Sequence, residues 1–285
     1  MHKRSIGLVG VAIAAIVTSL AGAERAGAAG VVDLVACGTL RDSGTVYRLT
    51  ADLTSCDDCL IVAANQITID LQGHSITAAL PCENSAITDR NDGRDLITVK
   101  NGSITSYGIG VNLFASTRVS VLGMTVKNTG VGIWVGSRSL VKSSEVSGSG
   151  TGIFVNDYGQ VERCNTHDNI DGIFAFGGNC LITMNTANFN RTSGITTTVG
   201  DKCTVSYNTA NNNSAIGIAV GVSSAGNGRL VTQNVALGNG DFDYEVHCPS
   251  TVTNNVSTNG FPDSYFLPGS GCLTTDNCCH TVNNH

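Results

Sequence analysis

Apolar β-forming residues return every 20 to 28 positions between about residue 60 and residue 260, separated by clusters of glycine, asparagine and serine. One apolar column reads Ile76, Ile104, Val126, Val146, Thr166, Thr186, Thr209, Val235 and Val256. A second column reads Gly110-Val111, Gly132-Ile133, Gly152-Ile153, Gly172-Ile173, Gly194-Ile195 and Gly217-Ile218. Self-similarity of this kind is typical of a solenoid, in which each repeat buries its apolar face against its neighbours.

Each repeat contains two short β-like runs, for example residues 160–164 and 172–176, and no helical periodicity lies between them. Units of 20 to 23 residues are too short for a strand–helix–strand crossover. The pattern therefore predicts an all-β, single-domain parallel β-helix of about nine coils, whose strands pair with their equivalents about 4.8 Å away. We expect a cap over 29–59, the β-helix over 60–260 and a cysteine-rich tail over 261–285.

An asparagine column precedes the apolar one in the later repeats. It reads Asn165, Asn185, Asn208, Asn234 and Asn255. An amide both donates and accepts hydrogen bonds, so stacked asparagines would bond along the axis and satisfy buried turns. Asparagine also tolerates the left-handed backbone of a corner. We therefore predict a structural ladder here and not a catalytic group.

Residues 66–76, which read QITIDLQGHSI, resemble the opening coil of the right-handed parallel β-helix proteins of the pectin-lyase-like superfamily. Residues 47–53 resemble the cap that precedes that coil. The likeness is closest to the NosD-type periplasmic β-helix repeats, and it implies a right-handed β-helix over about residues 31–260. It selects no function, because the superfamily contains lyases, hydrolases, epimerases and adhesins.

The first residues are typical of a secretory signal peptide over 1–28. Lys3 and Arg4 precede an apolar run that is followed by small residues. Eleven cysteines fit the same oxidising compartment, so we expect a secreted or periplasmic protein without a transmembrane segment in its mature chain. A net charge of −6 without basic clusters argues against nucleic acid and anionic membranes as partners.

Two cysteines, Cys180 and Cys203, occupy equivalent positions on adjacent coils, which allows a disulfide or a stack of thiols. Cys164 has no equally clear partner and is the candidate for the odd thiol. The cysteines and histidines of the tail are Cys272, Cys278, Cys279, His280 and His285. They could bind a soft metal, which the link of NosD-type proteins to copper metabolism supports, but a disulfide-tied tail is favoured in an exported chain.

Three aromatic residues form the first candidate site. If the isoleucines of the glycine column point inward, alternation places Trp134, Phe154 and Phe174 outward on consecutive coils. They could form a platform that binds sugar, or an external ladder that stiffens the sheet. The column is expected to continue as Thr196, Ala219 and Asp243.

Polar residues in matching turns form the second candidate site. His167, Asp168 and Asp171 would supply an acid and a base, and Arg191, one coil later, a cation. Asn188 is a further ligand-binding candidate, and its equivalent on the next coil is Asn211. The alternative is a set of solvated turns, which normally carry these residue types.

Acidic residues on one late strand form the third candidate. Asp241, Asp243 and Glu245 alternate and are expected to share an outward face, where they could hold Ca²⁺. Ca²⁺ needs six or more oxygen ligands, and neighbouring coils offer only Ala219 and Thr196 at that level. A solvated acidic edge is therefore favoured, and no resident metal or cofactor is predicted.

The leading functional hypothesis is an exported β-helix protein that binds carbohydrate or another cell-envelope polymer. It depends on the aromatic column and on the lack of a familiar catalytic motif. Lysines and arginines look scattered, so the cation that a polyuronate lyase normally uses is not evident. The alternatives are a polysaccharide lyase or glycoside hydrolase with an atypical site, and a structural or adhesive rod.

Overall fold

The computed structural model describes residues 30–198, 202–222, 228–258 and 264–279, and the predicted signal peptide lies outside these residues. Twenty-nine strands and no helix occur in the described part. Strand pairing is parallel from the first coil to the last. The predicted all-β class and the parallel β-helix are therefore confirmed.

The pairings sort the strands, numbered in chain order, into three sheets, and most coils visit each sheet once. The first sheet contains twelve stacked segments. They are β1 (Val31–Leu34), β3 (Val46–Leu49), β6 (Thr68–Asp70), the start of β8 (Thr98–Leu113), the start of β9 (Ser120–Lys127), β11 (Leu140–Lys142), β14 (Gln160–Glu162), β17 (Leu181–Thr183), β20 (Thr204–Ser206), β22 (Arg229–Thr232), β25 (Ser250–Thr253) and β28 (Leu273–Thr275).

The second sheet follows the first in each coil, and Thr209 bridges two of its strands. Its strands are β4 (Leu53–Thr54), the start of β7 (Ser75–Thr88), the middle of β8, the end of β9, β12 (Glu145–Ser147), β15 (Asn165–His167), β18 (Thr186–Asn188), β23 (Val235–Ala236), β26 (Val256–Ser257) and β29 (Cys278–Cys279).

The third sheet completes the coil before the chain returns to the first sheet. Its strands are β2 (Gly38–Leu40), β5 (Leu60–Val62), the ends of β7 and β8, β10 (Val131–Val135), β13 (Thr151–Val155), β16 (Asp171–Ala175), β19 (Ile195–Thr197), β21 (Ile216–Val220), β24 (Phe242–Val246) and β27 (Tyr265–Phe266).

Three corners connect the sheets, and we number each corner after the sheet that it follows. In one coil the third corner contains Tyr158, the next first corner Arg163 and the next second corner Asp168, with φ values of 57°, 53° and 58°. This left-handed conformation is uncommon outside glycine, and asparagine and aspartate adopt it most readily. In this coil stack, however, residues of several types adopt it, including arginine, tyrosine, methionine and glutamine.

The core lies inside the coils, where equivalent apolar side chains stack along the axis. Ile133 pairs with Ile153, and Ile153 pairs with Ile173, so the predicted glycine–apolar column is in register. These side chains are almost completely buried. Burial of one such side chain contributes about 1.5–3 kcal/mol, and every coil repeats it.

The coils extend beyond the predicted bounds of 60–260. β1 pairs with β3 and β2 pairs with β5, so the predicted cap already follows the solenoid path. At the other end β28 pairs with β25 and β29 pairs with β26, so the described part of the tail adds a further coil. Neither end carries the glycine–isoleucine column, which is why the repeat pattern alone did not include them.

Disulfides join neighbouring coils. The pairs are Cys37–Cys59, Cys56–Cys82, Cys180–Cys203 and Cys248–Cys272, with sequence separations of 22 to 26 residues. Cys272 is therefore not a free thiolate for a soft metal, and His280 and His285 lie outside the described residues. Cys164 is a free thiol, and its burial raises its pKa to about 11.

An amide ladder follows the first sheet at the first corner. Asn185 donates through Nδ2 to Oδ1 of Asn208 at 3.0 Å, and Asn208 repeats this bond to Asn234. The ladder continues through Asn255 to Asn277, and each Nδ2 also donates to a backbone carbonyl of the preceding coil. Donor and acceptor sites that the corner would otherwise bury unpaired are thus satisfied.

The placement of Asn165 in this ladder was wrong. Asn165 is exposed and pairs with Thr186, whereas Cys164 donates its backbone N–H to the first ladder amide, that of Asn185. The cause is one extra residue in the third corner: Val155 matches Ala175, but Gln160 matches Leu181. The side-chain period of a strand is two, so a slip of one residue exchanges the inward and outward faces.

A second amide ladder, which the sequence analysis missed, fills the second corner. Its members are Asn169, Asn190, Asn213 and Asn239. Asp243 ends it by accepting from Nδ2 of Asn239 at 2.8 Å and from the backbone N–H of Thr258 at 2.7 Å. Asp243 occupies the position that glycine holds in the earlier coils. At Gly217, one coil earlier, a Cβ would lie 2.6 Å from Nδ2 of Asn239, so a side chain at this position reaches the end of the ladder.

Candidate functional site

A stack of aromatic rings runs along the outer face of the third sheet. Its members, which we call the aromatic stack, are Phe114, Trp134, Phe154 and Phe174. Successive ring centroids are 4.6, 5.3 and 5.0 Å apart, and all four side chains are half-buried. Trp134, Phe154 and Phe174 are in direct strand register, and Phe114 joins them from the end of the preceding coil.

The rings contact one another mainly through their faces. The planes of Phe114 and Trp134 differ by 26°, and those of Phe154 and Phe174 by 28°. Trp134 is tilted by 50° against Phe154. Stacking of this kind stiffens the sheet and leaves ring edges as an apolar stripe parallel to the axis. The stripe can contact a long ligand, but it is not a set of open ring faces.

The column beyond the aromatic stack differs from the expectation at its last member. Thr196 and Ala219 follow Phe174 as expected, but Glu245, and not Asp243, pairs with Ala219. The coil from Ala219 to Glu245 is three residues longer than the coil from Thr196 to Ala219, and this displaces the match. The aromatic stack therefore ends at Phe174.

An open recess of about 410 Å³ lies at the third corner, beside the aromatic stack. Its lining consists of Thr117, Arg118, Ser137, Arg138, Asp157 and Tyr158. The two arginines and the tyrosine occupy the left-handed position on three consecutive coils, so their side chains project outward in one row. The recess combines cationic, anionic, hydroxyl and aromatic groups, which can position a polar ligand.

The two arginines of the recess have different partners. Arg118 forms an ion pair with Asp95, and its hydrogen bond holds the pKa of that carboxyl below its usual value. Arg138 lies over the ring of Tyr158, with the guanidinium carbon 5.7 Å from the ring centroid. Asp157 accepts a hydrogen bond from the backbone N–H of Gly178, which orients its carboxylate. The Arg138 guanidinium is thus the more available of the two for a ligand.

This row escapes notice when the arginines are taken as scattered along the sequence. Arg118, Arg138 and Tyr158 are separated by 20 residues each, which is the period of the repeat in this region. Reading the polar positions with the same period as the apolar ones would have found them.

His167 lies elsewhere, on the outer face of the second sheet. Its Nδ1 is 2.7 Å from Oδ2 of Asp168, and its Nε2 is 3.5 Å from Oε1 of Glu145. Glu145 also pairs with Lys127 at 3.5 Å. The structure therefore places His167 among two carboxylates and a lysine, as an imidazole that could exchange a proton with a ligand.

Two other members of the predicted polar site, Asp171 and Arg191, lie apart from this cluster, whereas Asn188 is next to it. Asp171 begins β16 on the third sheet and accepts a hydrogen bond from Thr192, and Arg191 is exposed in the second corner of the next coil. Asn188 pairs with His167 in strand register. Oδ1 of Asn188 accepts a hydrogen bond from the backbone N–H of Asn211, so this side chain helps to hold the next coil in place.

The expectation that Asp241, Asp243 and Glu245 share an outward face was wrong. Asp243 is buried and closes the second amide ladder, whereas Asp241 is exposed. Oε1 of Glu245 is 2.9 Å from Nε2 of His247. Within the described residues, no group of three or more His, Cys, Asp or Glu side chains could hold a metal ion.

The model of the family described as "Right handed beta helix region" matches residues 109–284, which is more than half of the chain. The chain belongs to the right-handed β-helix family. No curated protein matches it in sequence.

Several solved structures are similar to this β-helix. The A-module of Azotobacter vinelandii mannuronan C-5 epimerase AlgE6 is 11% identical, with a TM-score of 0.57 over 90% of this chain and 92% of that chain. The periplasmic alginate epimerase AlgG is 12% identical, with a TM-score of 0.46 over 90% and 73%. A Dettilon tailspike protein is 12% identical, with a TM-score of 0.43 over 86% and 61%. At 11% identity the likeness to the AlgE6 A-module shows the fold alone.

Among the described residues, no helix is long and apolar enough to cross a membrane.

Proposed function

We propose that this protein binds a polysaccharide or another cell-envelope polymer along the third sheet and the third corner. The observation that supports the proposal is the position of the aromatic stack beside the recess on the same coils. Phe114 precedes Arg118 by four residues, Trp134 precedes Arg138 by four, and Phe154 precedes Tyr158 by four. An apolar stripe and a polar row therefore run side by side along the axis.

Such a surface suits a chain of sugar units better than a small molecule. The apolar C–H faces of sugars can lie against the ring edges, while hydroxyl or acidic substituents reach the side chains of the recess. Each coil repeats the same contact about 4.8 Å further along the axis, so a polymer would gain from several coils at once. The rigid coil stack would lose little conformational entropy on binding.

Export is part of the same proposal. Four disulfides join neighbouring coils, and such bonds persist in oxidising compartments. Cell-envelope and extracellular polymers are the partners available there.

The test is retention of the purified protein on a panel of immobilised polysaccharides. We expect the double variant Trp134→Ala/Phe154→Ala to lose retention, because it removes the centre of the aromatic stack. Phe266→Ala is the matched control, since Phe266 is an exposed aromatic that stacks on Phe242 at a distant level of the third sheet. Undiminished retention of the double variant, with an unchanged melting temperature, would contradict the proposal.

A second candidate function, hydrolysis or lyase cleavage of a polysaccharide, is favoured by the contact of His167 with Asp168. A carboxylate that holds an imidazole is a common arrangement for general acid–base work. Incubation with the same polysaccharide panel would then yield unsaturated products or new reducing ends, and His167→Asn would abolish them. If no polymer is retained and none is cleaved, a structural or adhesive rod remains.

A further inference from the structure

The outer face of the first sheet changes character at β17. From there onward one column on the outer side consists only of hydroxyl residues, which are Thr183, Ser206, Thr232, Thr253 and Thr275. Ser206 is buried beneath its neighbours, and the four threonines are half-buried or exposed. Oγ1 of Thr183 is 3.2 Å from Oγ of Ser206, and the Oγ1 atoms of Thr253 and Thr275 are 2.9 Å apart. Five successive coils therefore carry a hydroxyl at the same position.

A second outward column lies two residues earlier on the same strands. It alternates leucine and threonine and reads Leu181, Thr204, Leu230, Thr251 and Leu273. Neither column contains a charged side chain in these five coils, although the chain has 16 basic and 22 acidic residues. The earlier coils of the same face carry Lys100, Lys142 and Glu162 instead. We call the uncharged array of β17 to β28 the hydroxyl face.

The hydroxyl face has a rigid support. Each member of the hydroxyl column is followed two residues later by a member of the first-corner amide ladder, from Thr183 and Asn185 to Thr275 and Asn277. The ladder therefore fixes the coil-to-coil register of the same five strands. Two disulfides, Cys180–Cys203 and Cys248–Cys272, join coils at the start of these strands.

We propose that the hydroxyl face binds ice. Its columns repeat about every 4.8 Å along the axis and about every 6.6 Å along the strand, which is a fixed two-dimensional lattice. The methyl groups of threonine and leucine order the first layer of water, and the hydroxyls hydrogen-bond it in place. A water layer held at regular spacing can join the surface of a growing ice crystal.

The chemistry of the face favours ice over a polymer as its occupant. Ice is uncharged and periodic, and the face is uncharged and periodic over the same five coils. A charged polymer would find no counter-charge in either column, and the half-buried aromatic stack of the proposed polymer site lies on another sheet. The two surfaces can thus be tested independently.

The test is incorporation of the purified full chain into slowly growing ice, together with thermal hysteresis and inhibition of ice recrystallisation. We expect the wild type to enter the ice fraction and to show both activities. Thr232→Tyr, in the middle of the hydroxyl column, inserts a bulky ring into the lattice and should abolish them. Thr232→Val keeps the size and the methyl groups and should lower them several-fold, which tests the hydroxyl itself without disturbing the fold.

Thr125→Tyr is the matched control, because Thr125 is a half-buried residue of the second sheet in strand register with Glu145. It should retain full ice activity. Exclusion of the wild type from ice, or equal activity of all variants, would overturn the proposal. Binding of the wild type to a crystalline polysaccharide through Thr232 without any ice activity would overturn it as well.

Discussion

The early and late coils of this β-helix are held together by different side chains. In the early coils, ion pairs connect neighbouring strands on the first sheet, such as Arg48 with Asp33 at 2.8 Å and Lys100 with Asp70 at 3.2 Å. In the late coils the corresponding strands carry hydroxyls, and buried asparagine ladders fill the corners beside them. At the first corner, the early equivalents of the ladder are Met124 and Ser144.

The difference teaches where the stability of the coil stack resides. The Arg48 and Asp33 side chains are 41% and 54% exposed, and exposed ion pairs contribute little because water screens them. The ladder amides other than Asn239 and Asn277 at the ladder ends are almost completely buried, so an unpaired donor or acceptor there cannot turn to water. We therefore expect the late coils to depend on single residues far more strongly than the early ones.

The largest effect is expected for Asn208→Ala. Asn208 accepts from the backbone and side-chain nitrogens of Asn185 and donates to Ile182 O and to Asn234, so its loss leaves several buried groups unpaired. At about 1–3 kcal/mol for each unsatisfied group, we expect a loss of about 3–5 kcal/mol in the free energy of unfolding. Urea unfolding measures it.

Asn165→Ala is the control for that prediction. Asn165 has the same residue type but is exposed and lies outside the ladder, so its replacement should change the free energy of unfolding by less than about 0.5 kcal/mol. Equal effects of the two substitutions would contradict the distinction between buried ladder asparagines and exposed asparagines such as Asn165.

A smaller effect is expected when the Cys180–Cys203 disulfide of the late coils is removed. The double variant Cys180→Ser/Cys203→Ser opens a closed loop with a separation of 23 residues, which should cost about 3 kcal/mol. Cys37→Ser/Cys59→Ser opens a separation of 22 residues in the early coils and should cost about as much, because loop length sets the effect. A difference of several kcal/mol between the two would show that disulfides also distinguish the halves.

The smallest effect is expected for Arg118→Gln in the early coils. The hydrogen bond from Arg118 lowers the pKa of Asp95, so the pair stabilises the fold above the unfolded carboxyl pKa of about 3.9. This stabilisation should disappear as the pH falls through the lower folded pKa. Melting temperatures of wild type and variant should therefore converge in acid. A gap that widens in acid would contradict the assignment.

Much of the fold could be predicted because the inward positions repeat with little variation. The glycine–isoleucine column from Val111 to Ile218 is in register throughout. The ladder prediction failed at Asn165 because the third corner between Ala175 and Leu181 is one residue longer than the corner before it, between Val155 and Gln160. No local signal in the sequence fixes the length of a corner. Asp243 was misplaced because a carboxylate that ends a ladder has the same sequence appearance as one in solvent.

The candidate site was predictable only in part. The alternation of side chains along a strand was enough to place Trp134, Phe154 and Phe174 outward. The structure adds Phe114, which lies just after the end of its strand, where alternation does not predict the direction of a side chain. The row of Arg118, Arg138 and Tyr158 follows the repeat period too, but these three residues differ in type, so the period is less apparent than among the apolar positions. His167 and Asp171 were grouped because they flank one turn, yet His167 ends a strand of the second sheet and Asp171 begins a strand of the third, which faces another direction.

Hydrogen exchange of the asparagine side-chain amides, measured by NMR, tests the register of the coils most directly. In Asn208 and in Asn234, Nδ2 donates two hydrogen bonds. One goes to a backbone carbonyl of the preceding coil, and the other goes to Oδ1 of the next asparagine in the ladder. They should exchange as slowly as the backbone N–H groups of the central strands. Exchange as fast as that of the exposed Asn165 amide would contradict the ladder, and with it the stacking of like residues on which the rest depends.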